Sequence, residues 1–275
     1  MTHTPIELYD GIYVKREDLC FQPPAPPFSK CRGIIKHLEL LKLQGITTVG
    51  YVETSISMAG WGIAWACQLL DMQAIIFDPQ YKETPPTLAY HREQWVKFPA
   101  TKIIPIKAGM AKVNWYICRQ LIKEYPNSIL LPLGLPFKET IEETCKEVQE
   151  TLKVSKIGFK TIVCCVGSGT ICAGIWKGLD VLQKANILLI GVMTRTGSVE
   201  AKKGVIEKKA DMSNNGIFRS MVKLALYDSG YEYTQECKVE VPFPCHSFYD
   251  AKAWAWILEN RMYLKEPIMF WNIGH

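Results

Sequence analysis

Apolar runs of strand length alternate with longer stretches of helical period along most of this chain, and that alternation predicts its elements. TTVGYVE (47–53), QAIIFD (73–78), KIIPI (102–106), SILLPL (128–133), KTIVCCVG (160–167) and NILLIGVM (186–193) are short and apolar, so each reads as a strand. Between them, MAGWGIAWACQLL (58–70), PPTLAYHREQWVKF (85–98), MAKVNWYICRQLIKEY (110–125), the acid-rich PFKETIEETCKEVQETL (136–152) and TICAGIWKGLDVL (170–182) read as helices, the second begun by its prolines. Strands and helices in turn predict parallel sheets covered on both faces, the α/β class. From 195 to 246 the pattern weakens and predicts no element. Beyond it, CHSFYDAKAWAWI (245–257) has helical spacing and PIMFWNIGH (267–275) reads as an apolar strand that stops in polar residues. No repeat, low-complexity tail or linker interrupts the rest, so two domains, if present, are interleaved in sequence.

Composition narrows the class without naming a function. With 275 residues, 48% of them hydrophobic and 21% charged, the chain is long and apolar enough to bury a large core. No stretch reaches the roughly 18 uncharged apolar residues that span a membrane. The start, MTHTPIELYDG, lacks the basic and apolar regions of a secretory signal, so a cytoplasmic protein is expected. The ten cysteines form no CxxC pair, and Cys164 and Cys165 sit inside an apolar run. Reduced, mostly buried thiols are expected, with neither a disulfide framework nor a metal site. The net charge of +5 would ease the approach of an acidic partner, but no block of Lys and Arg stands out, which favours a solvated face.

Four local features ask for chemistry. In CCVGSGTICAG (164–174) an apolar strand runs through Gly167, Ser168, Gly169 and Thr170 directly into a helix. Glycines let backbone N–H groups turn toward an anion and a helix start favours negative charge, so this is a candidate phosphate cradle; the plain alternative is a tight strand-to-helix turn. It has neither the Gly-Lys-Ser/Thr of a Walker loop nor full dinucleotide spacing. In ETSISMAGWGIAWA (53–66) a strand end delivers Thr54, Ser55 and Ser57, which could hold a carboxylate at the carboxyl end of a parallel sheet or simply cap the next helix. The third feature is Tyr249, Asp250 and Lys252 in an otherwise apolar segment; the fourth is the terminal Asn272, Gly274 and His275.

PFSKCRG (27–33) adds a lysine, Lys30, fixed behind FQPPAPPF, whose four prolines favour an extended chain. A fixed lysine, a phosphate cradle without a nucleoside signature and a carboxylate-sized hydroxyl cluster are the three parts that pyridoxal 5'-phosphate needs. The chain resembles the fold-type II pyridoxal-phosphate enzymes, the tryptophan synthase β-like family, and most of all the branch with aminocyclopropane-carboxylate deaminase and D-cysteine desulfhydrase. TPIELYDGIYVKREDL resembles that branch's opening strand and Lys-Arg-Glu-Asp signature, and PFSKCRG its Schiff-base lysine segment. TSISMAGWGIA is similar to the substrate-carboxylate loop, LLPLG to a later strand and VGSGTICAGI to the phosphate loop. FYDAKAWA resembles the Tyr-x-x-Lys segment and IMFWNIGH the closing strand. Departures are Ile56 and Ser57 where the family usually has Asn, Thr170 where a glycine is common, and Asn272 and Ile273 where His-Thr is usual.

The resemblance implies two three-layer αβα domains with mostly parallel twisted sheets, the larger from residues 1–44 and 127–275 and the smaller from 45–126. It implies that Lys30 forms the Schiff base and works as acid or base at the substrate's α carbon. Tyr249 is then a second acid or base, and Ser55 a catalytic contact. Cofactor contacts fall to Lys30, Ser57, Gly167, Ser168, Gly169, Thr170 and Asn272, and substrate contacts to Thr54, Ser55, Ser57 and Tyr249; no metal is implied. The favoured reaction is a carbon–nitrogen or carbon–sulfur lyase on a small amino acid, in a homodimer. An alternative keeps the cofactor and decarboxylates, or otherwise changes, an amino-acid group on a large anionic carrier such as a modified base in DNA; charge, eight tryptophans and the altered loop motivate it. A third reading is an inactive binding protein that keeps the fold.

Overall fold

The computed structural model describes residues 3–211 and 220–275. Near its start, an Asp10-Gly11 turn with φ of 48° and 77° folds β1 (Ile6–Tyr9) and β2 (Ile12–Arg16) into an antiparallel hairpin. Asp-Gly suits a two-residue hairpin because both positions need left-handed backbone. The chain continues through α1 (Cys31–Leu43), β3 (Thr48–Val52), α2 (Ala59–Leu69), β4 (Gln73–Gln80), α3 (Pro86–Trp95), β5 (Thr101–Lys107), α4 (Ala111–Leu121) and β6 (Ser128–Leu130). These last strands form a four-stranded, all-parallel sheet in the order β5-β4-β3-β6. Then follow α5 (Lys138–Val154), β7 (Thr161–Val166), α6 (Thr170–Val181), β8 (Leu188–Met193), α7 (Val199–Asp211), β9 (Lys223–Asp228), α8 (Asp250–Asn260) and β10 (Ile268–Asn272). A six-stranded sheet results, in the order β1-β2-β10-β7-β8-β9, parallel except for the hairpin.

The expected α/β class is therefore present as two mostly parallel sheets. β7 and β10 are buried at every position, as strands inside a covered parallel sheet should be. The segment 195–246, which predicted nothing, holds α7 and β9. Their signal was weak because α7 buries only Ile206 and Ala210, and β9 lies at the sheet edge with half its residues exposed.

Compactness divides the chain into a larger unit, Met1–Gln22 with Pro27–Lys30 and Lys138–His275, and a smaller one, Pro23–Pro26 with Cys31–Phe137. These borders differ from 44/45 and 126/127. α1 packs on α2, and β6 pairs with β3, so both belong with the smaller sheet. The chain re-enters the larger unit for only four residues, and Lys30 is the last of them.

Lys15, Arg16, Glu17 and Asp18 are all buried in the larger unit, and each is paired. The Lys15 ammonium donates to the Thr4 carbonyl at 2.5 Å and meets Glu147 Oε1 of α5 at 2.6 Å. Arg16 grips Asp18 with two donors, at 2.9 and 2.7 Å, while the Thr4 hydroxyl donates to Glu17. Buried charge is costly unless paired, and of the four it is Lys15 that ties the N-terminal hairpin to α5. Its work is architectural.

Among the described residues the ten cysteines remain thiols, and nine are buried. No helix among the described residues is long and apolar enough to cross a membrane.

Candidate functional site

Lys30 owes its place to the C-terminal tail. Just beyond β10, Phe28 bridges antiparallel to Gly274, Ser29 N–H donates to the Ile273 carbonyl at 3.1 Å, and His275 N–H donates to the Pro27 carbonyl at 3.3 Å. β10 runs parallel to β7, whose carboxyl end opens into the 167–169 turn. Ligands of open α/β sheets gather at such strand ends. The Lys30 Nζ accordingly lies 3.3 Å from Ser168 Oγ, with the Phe28 ring 5.7 Å away. Lysine and glycine turn, 138 residues apart in sequence, share one site.

Burial pulls the Lys30 pKa down to about 8, against the opposing pull of Cys165 and Asp250. An amine must be neutral to attack an aldehyde. The neutral fraction grows as pH rises through the pKa, so attachment of an aldehyde cofactor should speed up to about pH 8 and then level off. A free lysine would keep accelerating toward about pH 10.4. Stopped-flow absorbance of the apoprotein across that range checks this, and a rate still climbing beyond pH 9.5 would contradict it.

The turn itself is shaped for an anion. Gly169 has φ +83° and precedes the first residue of α6, where any Cβ would lie 2.8 Å from Ile206 Cγ1; only glycine fits both the backbone and the space. A helix start leaves N–H groups without intrahelical acceptors and carries a favourable field for negative charge. The Ser168 and Thr170 hydroxyls meet at 3.0 Å. Around Gly167 there is room, since a Cβ there would find nothing nearer than 3.8 Å. A nucleophilic lysine beside an uncrowded donor turn fits a phosphorylated aldehyde.

Three residues without an assigned role from sequence join Lys30 and the turn in the larger unit. On α7, Lys202 donates to the Gly167 carbonyl at 2.8 Å, and Lys209 to the Ser168 carbonyl at 2.5 Å and to Thr170 Oγ1 at 3.0 Å. Their spacing of seven, with Ile206 between, marks one helix face and was the available signal. Tyr233 shares a 2.8 Å hydroxyl contact with Tyr249, whose ring lies beside Gly167. Lys252 is buried and spends its ammonium on the Thr194 and Glu232 carbonyls at 2.8 and 2.9 Å, a structural use. Asp250 accepts the Ile273 N–H at 3.0 Å, and burial raises its pKa to about 7. Asn272 is fully buried, with its amide donating to Asp18 Oδ1 at 3.0 Å and the Pro244 carbonyl at 2.9 Å. Its donors are thereby committed to the framework.

Thr54, Ser55 and Ser57 lie in the smaller unit between β3 and α2. Ser57 Oγ accepts the Ala59 N–H at 3.1 Å, a local turn contact one residue ahead of Met58, the N-cap of α2, which itself has no side-chain cap. Ser55 is half-buried, and the Thr54 hydroxyl oxygen is buried with no partner among the described residues. Beneath them is a carboxylate that sequence reasoning passed over. Glu53 accepts the Thr54 N–H at 2.8 Å and the Gly60 N–H at 2.6 Å, pinning both ends of the loop, and burial raises its pKa to about 8 although these bonds favour the anion. His91, also buried here, is pushed down to about 4 and stays neutral.

The chain is a pyridoxal-phosphate-dependent enzyme of fold type II. It matches the crystal structure of an ACC deaminase homologue with a TM-score of 0.81 and 21% identity, over 100% of this chain and 90% of that one. A hydrogen sulfide-producing enzyme from Fusobacterium nucleatum matches at 0.67 and 17% identity, covering 98% and 94%. Diaminopropionate ammonia lyase from Escherichia coli, in its apo form, matches at 0.69 and 14%, covering 100% and 83%. At such identities the likeness shows the fold. No protein-family model matches the chain. Its sequence is 33% identical over 292 residues to the glycyl-dTMP PLP-dependent decarboxylase of Pseudomonas phage M6, spanning 100% of this chain and 99% of that protein, and it belongs to the same family.

Proposed function

We propose that this enzyme decarboxylates an amino-acid group carried on a thymidine nucleotide, with DNA as the carrier. The full-length relation to the phage glycyl-dTMP decarboxylase carries this reading. The deamination or desulfhydration reading favoured in the sequence analysis has support only from relatives at 21% identity or less, where likeness speaks to fold.

Pyridoxal phosphate, when bound, takes up the electron pair left behind at an α carbon. The chain's own residues do the rest. Lys30 holds the cofactor and gives it up to the substrate amine. In decarboxylation the bond from the α carbon to the carboxylate breaks, its electron pair stays on carbon, carbon dioxide departs and one proton must arrive. Lys30, freed by the exchange, brings that proton. Tyr249, in contact with Tyr233, is the second proton-handling group, and Gly167 to Thr170 receive the phosphate. The 54–57 loop offers neutral hydroxyls and no cation, and Ser57 Oγ is engaged by its helix.

An oligonucleotide bearing glycyl-dTMP, incubated with the cofactor-loaded enzyme, should release carbon dioxide and lose the corresponding mass while keeping its amine. Release of ammonia or a keto acid in place of carbon dioxide would overturn the proposal.

A further inference from the structure

Lys202, Ile206 and Lys209 form one face of α7 at helical spacing, and all three bear on the turn at 167–170. Ile206 occupies the space that a side chain at position 169 would need. The flanking ammonium groups bind the Gly167 and Ser168 carbonyls. A trans peptide is planar, with its C=O and the following N–H pointing in opposite directions. Holding those two carbonyls therefore aims the N–H groups of Ser168 and Gly169 to the other side of the turn.

On that geometry we infer that Lys202 and Lys209 are positioning residues for the cofactor's phosphate: they lock the donor side of the turn open and supply two positive charges against a phosphate dianion. The inference rests on the pyridoxal-phosphate reading and adds to it. Glycine turns can hold phosphate by neutral N–H groups alone; here a second helix backs the turn with charge. Lys209 also donates to Thr170 Oγ1, which meets Ser168 Oγ, which accepts from Lys30. Two hydroxyls thus link the amine that binds the aldehyde to the amine that backs the phosphate turn. Burial, then repulsion from Lys30 and Lys202, lowers the Lys209 pKa to about 7, and Arg195 adds repulsion at Lys202. Such a crowd of cations is relieved by an arriving dianion.

The test compares two aldehydes that differ only in phosphate. Apoprotein is titrated with pyridoxal phosphate and with pyridoxal, following the visible band of the Lys30-linked chromophore. Lys209→Gln should raise the Kd for pyridoxal phosphate about 10- to 100-fold, leave that for pyridoxal unchanged, and be largely rescued by Lys209→Arg. Lys202→Gln should act in the same direction and keeps the test available if Lys209→Gln does not fold by circular dichroism. Equal weakening of both aldehydes, or of neither, overturns the inference while the cofactor reading stands. Wild-type protein that develops no band with either aldehyde would remove the cofactor reading itself.

Discussion

Lys30→Ala is expected to give a folded protein without the visible band and without turnover, its kcat reduced by more than about 10³-fold, since a positioned acid or base alone contributes about 10²–10⁴. The argument is geometric. Lys30 is the amine that the tail pairing at 273–275 delivers to Ser168, and its lowered pKa makes it reactive near neutrality. Lys202 and Lys209, the other amines beside the turn, have their ammonium groups committed to the Gly167 carbonyl and to the Ser168 carbonyl and Thr170. Absorbance after cofactor addition and a carbon dioxide release assay read the two consequences separately. A variant that keeps both would show that another residue carries the chemistry.

The second large effect is on stability. Lys15→Met removes an ammonium that is wholly inaccessible to solvent and strands Glu147, whose side chain is 10% exposed. Removing one member of a buried pair costs about 3–5 kcal/mol, because the remaining charge keeps its desolvation penalty. Urea denaturation should show that loss, and the double variant Lys15→Met with Glu147→Leu should recover most of it, since an apolar pair no longer strands a charge. A single variant within about 1 kcal/mol of wild type would mean that Glu147 reaches water or is satisfied by Thr4 and His3 without the lysine.

How much of this could be read beforehand differs by region, for physical reasons. Strands such as β3, β4, β7 and β8 were legible because a strand buried on both faces must be an unbroken apolar run. The Asp10-Gly11 hairpin carried a turn signal that a reading focused on parallel strands overlooked. α7 was not legible by apolar period, since its inward face presents lysines to backbone carbonyls, contacts that leave no hydrophobic trace. Glu53 is a similar case. Its partners are chiefly peptide N–H groups, which every residue except proline has, with the Ser57 side chain beside them, so no sequence pattern distinguishes it from a solvated acid. Lys30 and the 167–170 turn, which the structure brings together, stand out in the sequence because their residue types and order constrain chemistry more than packing does. Asn272 is expected as a cofactor contact by resemblance; its amide N–H groups serve Asp18 and Pro244, and its Oδ1 is buried with no partner among the described residues.

The thiols carry a last consequence. Burial raises the pKa of Cys67, Cys118, Cys145, Cys165 and Cys245, and keeps them in the protonated form that reacts poorly with oxidants and alkylating agents. The native conformation is thus its own antioxidant. When it is lost, these five thiols regain ordinary acidity, and with all ten cysteines exposed, wrong cross-links compete with the way back. Recovery from denaturation is therefore governed by the reducing power of the surroundings as well as by the free energy of the fold.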